Sequence, residues 1–187
     1  MLKAKAILSG CVIFLFGCAS NLSLPSDTAR IRFVATSDLY SHVYSFENYG
    51  CKGGRNFEMT IQQGGLDIDT SDSLLGMPLM DFDPKSVKEY EHPAPQRYYG
   101  AVSTNGNIIK YGDSSASSIN LFCAVTFSVK FQPGKDYEFV HKVKLTEDDI
   151  DCSVLAYQLV EKDDGSFTRI PEPVLPVFGE KCAEEFN

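Results

Sequence analysis

The chain has no tryptophan and only three histidines, His42, His92 and His141, among 187 residues. The histidines are far apart, and neither H-x-H nor H-E-x-x-H occurs, so the usual sequence signatures of a zinc hydrolase are missing. No G-x-S-x-G elbow is present to lift a serine nucleophile. No C-x2-C pair exists, which removes the common structural zinc spacing. Basic residues are scarce, with 17 Lys and Arg against 25 Asp and Glu. Nucleic acid demands a basic footprint, so no nucleic-acid partner is expected. Nothing in the sequence asks for a metal or a cofactor. No stretch carries a helical period. The one continuous apolar run is at the N terminus.

That run spans Ala6 to Phe16, behind Lys3 and Lys5. A membrane-spanning helix needs about 20 apolar residues, so this run is too short. A positive start, a short apolar core and a small residue after it are the layout of a secretory signal. The run ends in Leu15-Phe16-Gly17-Cys18. This resembles the lipobox of bacterial lipoproteins, in which Leu, a small residue, Gly or Ala, and Cys occur in that order; Phe16 is larger than is usual there. The resemblance implies a diacylglyceryl group on the Cys18 sulfur, removal of residues 1–17 and acylation of the new amino terminus. Two or more chains anchor stably, at about 0.8 kcal/mol per buried CH2. Ala19, where enteric-type sorting would want Asp for the inner membrane, points to the outer membrane, facing the periplasm.

Losing Lys3 and Lys5 with the signal takes the 17 basic residues to 15 against 25 acidic ones, a net charge of −10. That charge opposes a second, electrostatic attachment to anionic lipid. Residues 18–28 read as a lipidated tether, small and polar, and 29–187 as one domain. Four cysteines remain beyond the anchor: Cys51, Cys123, Cys152 and Cys182. An exported chain with an even cysteine number is expected to form disulfides. Four cysteines allow three pairings; Cys51–Cys123 with Cys152–Cys182 is the preferred one here.

Strand signals dominate the domain. Arg30 to Ala35 alternates Arg30 and Arg32 with Ile31 and Phe33, the period of a half-buried strand. A second strand runs from about Tyr40 to Phe46. Residues 47–83 are rich in Gly, Asp and Ser and read as a long loop with one short strand at Phe57 to Ile61. Strands are expected before Pro93 and after Pro95. Asn105-Gly106 signals a turn, then a strand from Asn107 to Tyr111. The strongest pattern is Ile119 to Phe131, with Ile119, Leu121, Cys123, Val125, Phe127, Val129 and Phe131 at every second position. Pro133-Gly134-Lys135-Asp136 follows, then Tyr137 to Lys144, with Tyr137, Phe139, His141 and Val143 on one face. This pair is expected to form a β-hairpin. Its Pro-Gly-x-x-Tyr piece resembles turns of transthyretin-like and immunoglobulin-like sandwiches, where the tyrosine packs at the corner between sheets. Cys152 to Val160, a turn at Asp163-Asp164-Gly165 and a return over Ser166 to Ile170 complete the pattern. Pro171, Pro173 and Pro176 suit an edge. The expected fold is an all-β, antiparallel β-sandwich.

Candidate chemistry is thin. Asp67-Ile68-Asp69-Thr70-Ser71-Asp72 has the oxygen density of a calcium loop, but Asp72 stands where Gly is wanted and Pro78 where the bidentate Glu belongs, so it reads as a solvated loop. Asp81 and Asp83 lie beyond it. His141 reads as a hydrogen-bonded core residue, and Tyr98-Tyr99 as core or edge packing. No catalytic residue is expected. The chain resembles small envelope lipoproteins with a disulfide-bonded sandwich. The expected function is a non-enzymatic binding or structural module for an envelope protein or glycan. Three alternatives stay open. One is a secretion-system accessory lipoprotein. Another is a lysozyme-type inhibitor, on the fragment Tyr49-Gly50-Cys51. The third is a periplasmic hydrolase walled by loop 47–83.

Overall fold

The computed structural model describes residues 27–61, 74–79, 81–83, 86–111, 116–146, 149–177 and 182. The signal region, Cys18, nearly all of the tether and Asp67 to Asp72 lie outside them. Ten strands follow in chain order: β1 Thr28–Ala35, β2 Ser41–Asn48, β3 Lys52–Ile61, β4 Val87–Pro93, β5 Arg97–Tyr111, β6 Ala116–Lys130, β7 Asp136–Leu145, β8 Ile150–Glu161, β9 Phe167–Glu172 and β10 Leu175–Pro176. They make two five-stranded sheets. Sheet A has the order β4-β1-β7-β8-β9 and sheet B the order β10-β6-β5-β2-β3. Every neighbouring pair is antiparallel except β1 with β7. The fold is an all-β sandwich, as the strand periods indicated.

Alternation explains the core. Ile31 and Phe33 of β1, Tyr137 and Phe139 of β7, Tyr98 and Val102 of β5, Phe127 and Val129 of β6, and Phe131 just beyond it meet between the sheets. Phe33 stacks on Phe139 at 5.0 Å between ring centroids, and Phe131 lies 4.7 Å from Tyr137. Such ring pairs add about 0.5–1.5 kcal/mol each beyond their burial. Gly100 makes room for this cluster. A Cβ there would meet Tyr98 Cε1 at 2.4 Å and Phe127 Cζ at 2.8 Å.

Three strand expectations change. β6 and β7 do not form a hairpin, because they belong to different sheets. Phe131 stays in the core beyond the end of β6, and the Gln132 N–H donates to the Tyr137 hydroxyl at 3.0 Å. The Pro133-Gly134 turn therefore carries the chain across the sandwich, with Tyr137 at the corner. Asn105-Gly106 makes no turn: β5 runs straight through it, paired with β6 from Arg97–Lys130 to Tyr111–Ala116. A Cβ at Gly106 would stand 3.3 Å from Leu39 Cδ1, so the glycine serves close packing. The supposed long loop is shorter, since β3 occupies Lys52–Ile61 and pairs with β2.

The disulfides also differ from the preferred pairing. They join Cys51 to Cys182 and Cys123 to Cys152. Cys123 and Cys152 sit on β6 and β8, in opposite sheets whose inner faces pack together. Their Cα atoms are 6.1 Å apart. Cys51, at the β2–β3 turn, holds the chain end 131 residues later, with Cα atoms 5.1 Å apart. Sequence distance does not reveal that Val177 and Cys182 pack beside Cys51, Phe46 and Ala101.

Candidate functional site

The two sheets present different outer faces. On sheet A the face begins with Arg30 and Arg32 of β1. The register sets Arg32 opposite Glu89 of β4 and Glu138 of β7. Arg32 donates from Nε to Glu89 at 2.8 Å and from Nη1 to Glu138 at 3.0 Å. It also donates to the carbonyls of Met77, Pro78 and Leu79 at 2.7, 2.9 and 3.2 Å. The side chains of Arg32, Glu89 and Glu138 are all 0% exposed. Glu89 in turn accepts from the Leu75 and Met77 N–H groups. Arg169 of β9 joins Glu138 at 2.6 Å and Asp81 at 2.5 Å. The predicted polar face of β1 is thus covered by residues 74–79 and 81–83, not solvated.

This cluster is satisfied internally. A buried guanidinium tolerates low dielectric only when paired and hydrogen-bonded, and here each donor direction ends on protein. Leu79 holds a φ of 58°, uncommon for a residue with a Cβ. Its carbonyl then accepts from both Arg32 and Arg169. Hydrogen bonds from Arg169 hold the Asp81 carboxyl below its usual range. Asp81, expected in an acidic loop, is therefore an ion-pair partner. Arg30 is committed as well, with a bidentate 2.7 Å pair to Asp136. A cavity of about 330 Å³ opens beside that pair, between Lys135, Leu159 and Phe167.

The outer face of sheet B carries rings. His42 and Tyr44 alternate along β2, and Phe57 of β3 lies beside both, with centroids 6.0 and 5.9 Å away. The Arg55 guanidinium sits 4.5 Å from the Tyr44 ring centroid, a cation–π contact. His42 Nδ1 is 3.1 Å from the Thr60 hydroxyl. Tyr49, beyond β2, meets Tyr99 edge-on at 6.3 Å. Phe57 is 59% exposed and Tyr49 56%. Beside this set, Phe46, Ala101, Cys51, Val177 and Cys182 form a small apolar cluster under the C-terminal segment. The Val177 N–H donates to Thr126 at 3.2 Å, and the Cys51–Cys182 bond ties down the end.

The histidines do not converge on one site. His42 is on the outer face of sheet B. His92 packs against Tyr98 and Phe131 at 5.1 and 5.5 Å. His141 is buried with its Nε2 unpartnered; it is a core residue as expected, but that ring nitrogen makes no hydrogen bond. Burial lowers the pKa of His141 to about 4 and moves that of His92 down. Burial pushes the Tyr90 and Tyr98 phenols upward. Tyr98 belongs to the core and Tyr99 to the sheet B surface, so the pair is not a common patch. Among the described residues, no group of three His, Cys, Asp or Glu side chains could hold a metal. The residue-level reading missed the set His42, Tyr44, Arg55 and Phe57. Its trace was the alternation His42-x-Tyr44-x-Phe46, but the β2–β3 pairing needed to bring Phe57 over was hidden in the supposed loop.

Comparison with protein-family models, curated proteins and solved structures finds no match.

Proposed function

We propose that the chain is a lipid-anchored cell-envelope protein, held in the outer membrane through Cys18, whose sandwich is a non-enzymatic module binding an envelope protein or glycan through the aromatic face of sheet B. The observation that carries the binding reading is the outward set Tyr44, Tyr49, Arg55 and Phe57. Aromatic and arginine side chains supply much of the energy at interfaces, and their flat rings also suit the apolar faces of sugars. The buried charges of sheet A are already committed to one another, which favours sheet B as the working face. The anchor rests on Leu15 to Cys18 alone.

Two measurements test this. Cells fed a palmitate analogue label the wild-type chain and not Cys18→Ser; label on both, or on neither, sinks the anchor. For the face, purified cell-wall glycan and envelope proteins are titrated with the protein and with Tyr49→Ala/Phe57→Ala. Each ring that sits at an interface centre is worth about 2 kcal/mol or more, so binding falls steeply in the double variant. Binding that is unchanged moves the site elsewhere.

A second reading, a lysozyme-type inhibitor, is favoured by one observation. Tyr49 of Tyr49-Gly50-Cys51 protrudes from the β2–β3 turn, which the Cys51–Cys182 bond fixes. Loss of lysozyme activity on adding the protein would support it, and full activity at excess would reject it.

A further inference from the structure

The outward positions of sheet B carry a charge opposite to that of the chain as a whole, which is net −8. On β2 and β3 the outward Tyr44 and Phe46 face Phe57 and Arg55 across the ladder. On β5 and β6, Tyr98 and Val129 are buried between the sheets, so alternation turns Arg97, Tyr99, Ser128 and Lys130 outward. Among the described residues, these outward positions hold three fixed cations and no carboxylate. The acidic residues nearest in sequence are placed otherwise. Glu58 accepts from the hydroxyl of Ser45, which alternates with the outward Tyr44, and Glu47 packs against Gly53.

Arg97 and Lys130 are direct partners in the β5–β6 ladder. Two like charges thus stand opposite each other on adjacent strands, where their repulsion costs stability. Arg97 donates to the Ser128 hydroxyl at 3.2 Å, and neither cation has a carboxylate partner among the described residues. An oxyanion seated between them replaces that repulsion with charge-assisted hydrogen bonds.

Rings stand beside both cationic places. The Arg55 guanidinium is 4.5 Å from the Tyr44 centroid, and Phe57 is 5.9 Å from Tyr44. Tyr99 is two positions from Arg97 on the same strand face, and Tyr49 meets Tyr99 edge-on at 6.3 Å. An acidic sugar matches both features in a single unit. The C–H groups of its ring face suit the electron-rich face of an aromatic ring, and its acid group suits the cation. In an acidic peptide the carboxylates and the apolar surfaces belong to different residues. Arg55 and Arg97 lie on strands two apart in the sheet order, roughly 10 Å at about 4.8 Å per strand, a span that takes more than one sugar.

We propose that the ligand of this face is an anionic polysaccharide, its sugar rings against Tyr49 and Phe57 and its acid groups, carboxylate or phosphate, held by Arg97 with Lys130 and by Arg55. This rests on the reading of sheet B as the working face and adds the class of ligand. The charge complementarity is local: the polymer is repelled by the acidic remainder of the chain and held where the cations gather.

The test uses the full chain, both disulfides intact, in micelles of a neutral detergent. It is titrated with polygalacturonate and with phosphorylated dextran, which separate carboxylate from phosphate as the acid group. Binding is expected to one or both, to weaken as salt rises, and to fall tenfold or more in Arg97→Gln/Lys130→Gln. That double variant relieves a like-charge pair, so it resists denaturant as well as wild type or better, and lost binding is not lost fold. Lys142→Glu, the same change of two charge units at an exposed position of β7 in sheet A, leaves binding unchanged. Failure of both acidic polymers to bind overturns the proposal. So does equally tight binding of methyl-esterified polygalacturonate or plain dextran, and so does equal binding of poly-L-glutamate, which makes the partner an acidic protein. Binding of an envelope protein or neutral glycan that is lost in Tyr49→Ala/Phe57→Ala but kept in Arg97→Gln/Lys130→Gln overturns the anionic ligand while leaving the aromatic face as the working surface.

Discussion

Each outer face of the sandwich carries a covering segment, but the covers are fastened by opposite means. On sheet A, residues 74–79 and 81–83 are held by charge and hydrogen bonds, with Arg32 at the centre of two carboxylates and three carbonyls. On sheet B, the C-terminal segment is held by a covalent bond, a short backbone pairing and apolar contact under Val177. The first cover fails if one charge is lost, because its partners are already out of water. The second fails only if a bond is cut. Sheet A therefore trades surface for rigidity, while sheet B keeps rings at the surface beside a fastened strap.

The largest expected break is on sheet A. Arg32→Met leaves Glu89 a buried carboxylate without its cation, leaves Glu138 to Arg169 alone and takes the guanidinium from the Met77 and Pro78 carbonyls, so denaturant unfolding should lose about 3–5 kcal/mol. A loss below about 1 kcal/mol would mean water reaches the cluster and the contrast with sheet B is false. Replacing Arg32, Glu89 and Glu138 together by apolar residues should recover much of the loss, because no buried charge is then left alone.

Cutting the sheet B cover comes next. Cys51→Ala with Cys182→Ala should cost about 2–4 kcal/mol, the typical range for a native cross-link, toward the upper end because the closed loop is long. Near-ultraviolet circular dichroism of Tyr99 and Tyr44 should change, while the Arg32 cluster keeps its amide protection. Equal loss of protection on both sheets would show that the covers are not independent.

Acid sharpens the comparison from the shared core. His141 sits between the sheets with its pKa lowered to about 4 by burial, against an ordinary value near 6.5. The unfolded chain therefore binds its proton first. Stability is full above about pH 6.5 and falls as pH drops toward 4, by about 3 kcal/mol for this group. His92, also lowered by burial, adds in the same direction. His141→Phe should flatten the stability profile between pH 6.5 and 4; an unchanged slope would remove His141 as its source.

The smallest effect belongs to the rim of the sheet A cover. The Asp81 carboxyl is held low by Arg169. Its contribution is present above its ordinary pKa and is lost as pH falls through the lower value in the fold. The side chain is 60% exposed, so solvent screens the pair and Asp81→Asn should cost under about 1 kcal/mol. High salt should erase most of the difference from wild type. A cost comparable to that of Arg32→Met would place Asp81 inside the cluster after all.

Much of the fold was legible because a strand's period of two is a local property. Ile31 and Phe33, Cys123 to Phe131, and Tyr137 to His141 announced their inward faces, and the all-β class followed. Less of the candidate surface was legible. β3 hid among glycines, so Phe57 and Arg55 could not be placed beside Tyr44. The β6–β7 hairpin was a reasonable local inference that the crossover at Tyr137 overrode. Arg30 and Arg32 looked solvated because alternation tells which residues share a face and not what lies on it.

The sequence by itself determined the strand pattern, the acidic balance, the four domain cysteines and the lipobox-like Leu15 to Cys18, since each is written in neighbouring residues or in composition. Only the tertiary structure decided which cysteines meet, that Arg32 is buried, and that β6 and β7 lie in different sheets. Those depend on which strands become neighbours, and strand neighbours are set by contacts between residues as far apart as Cys51 and Cys182.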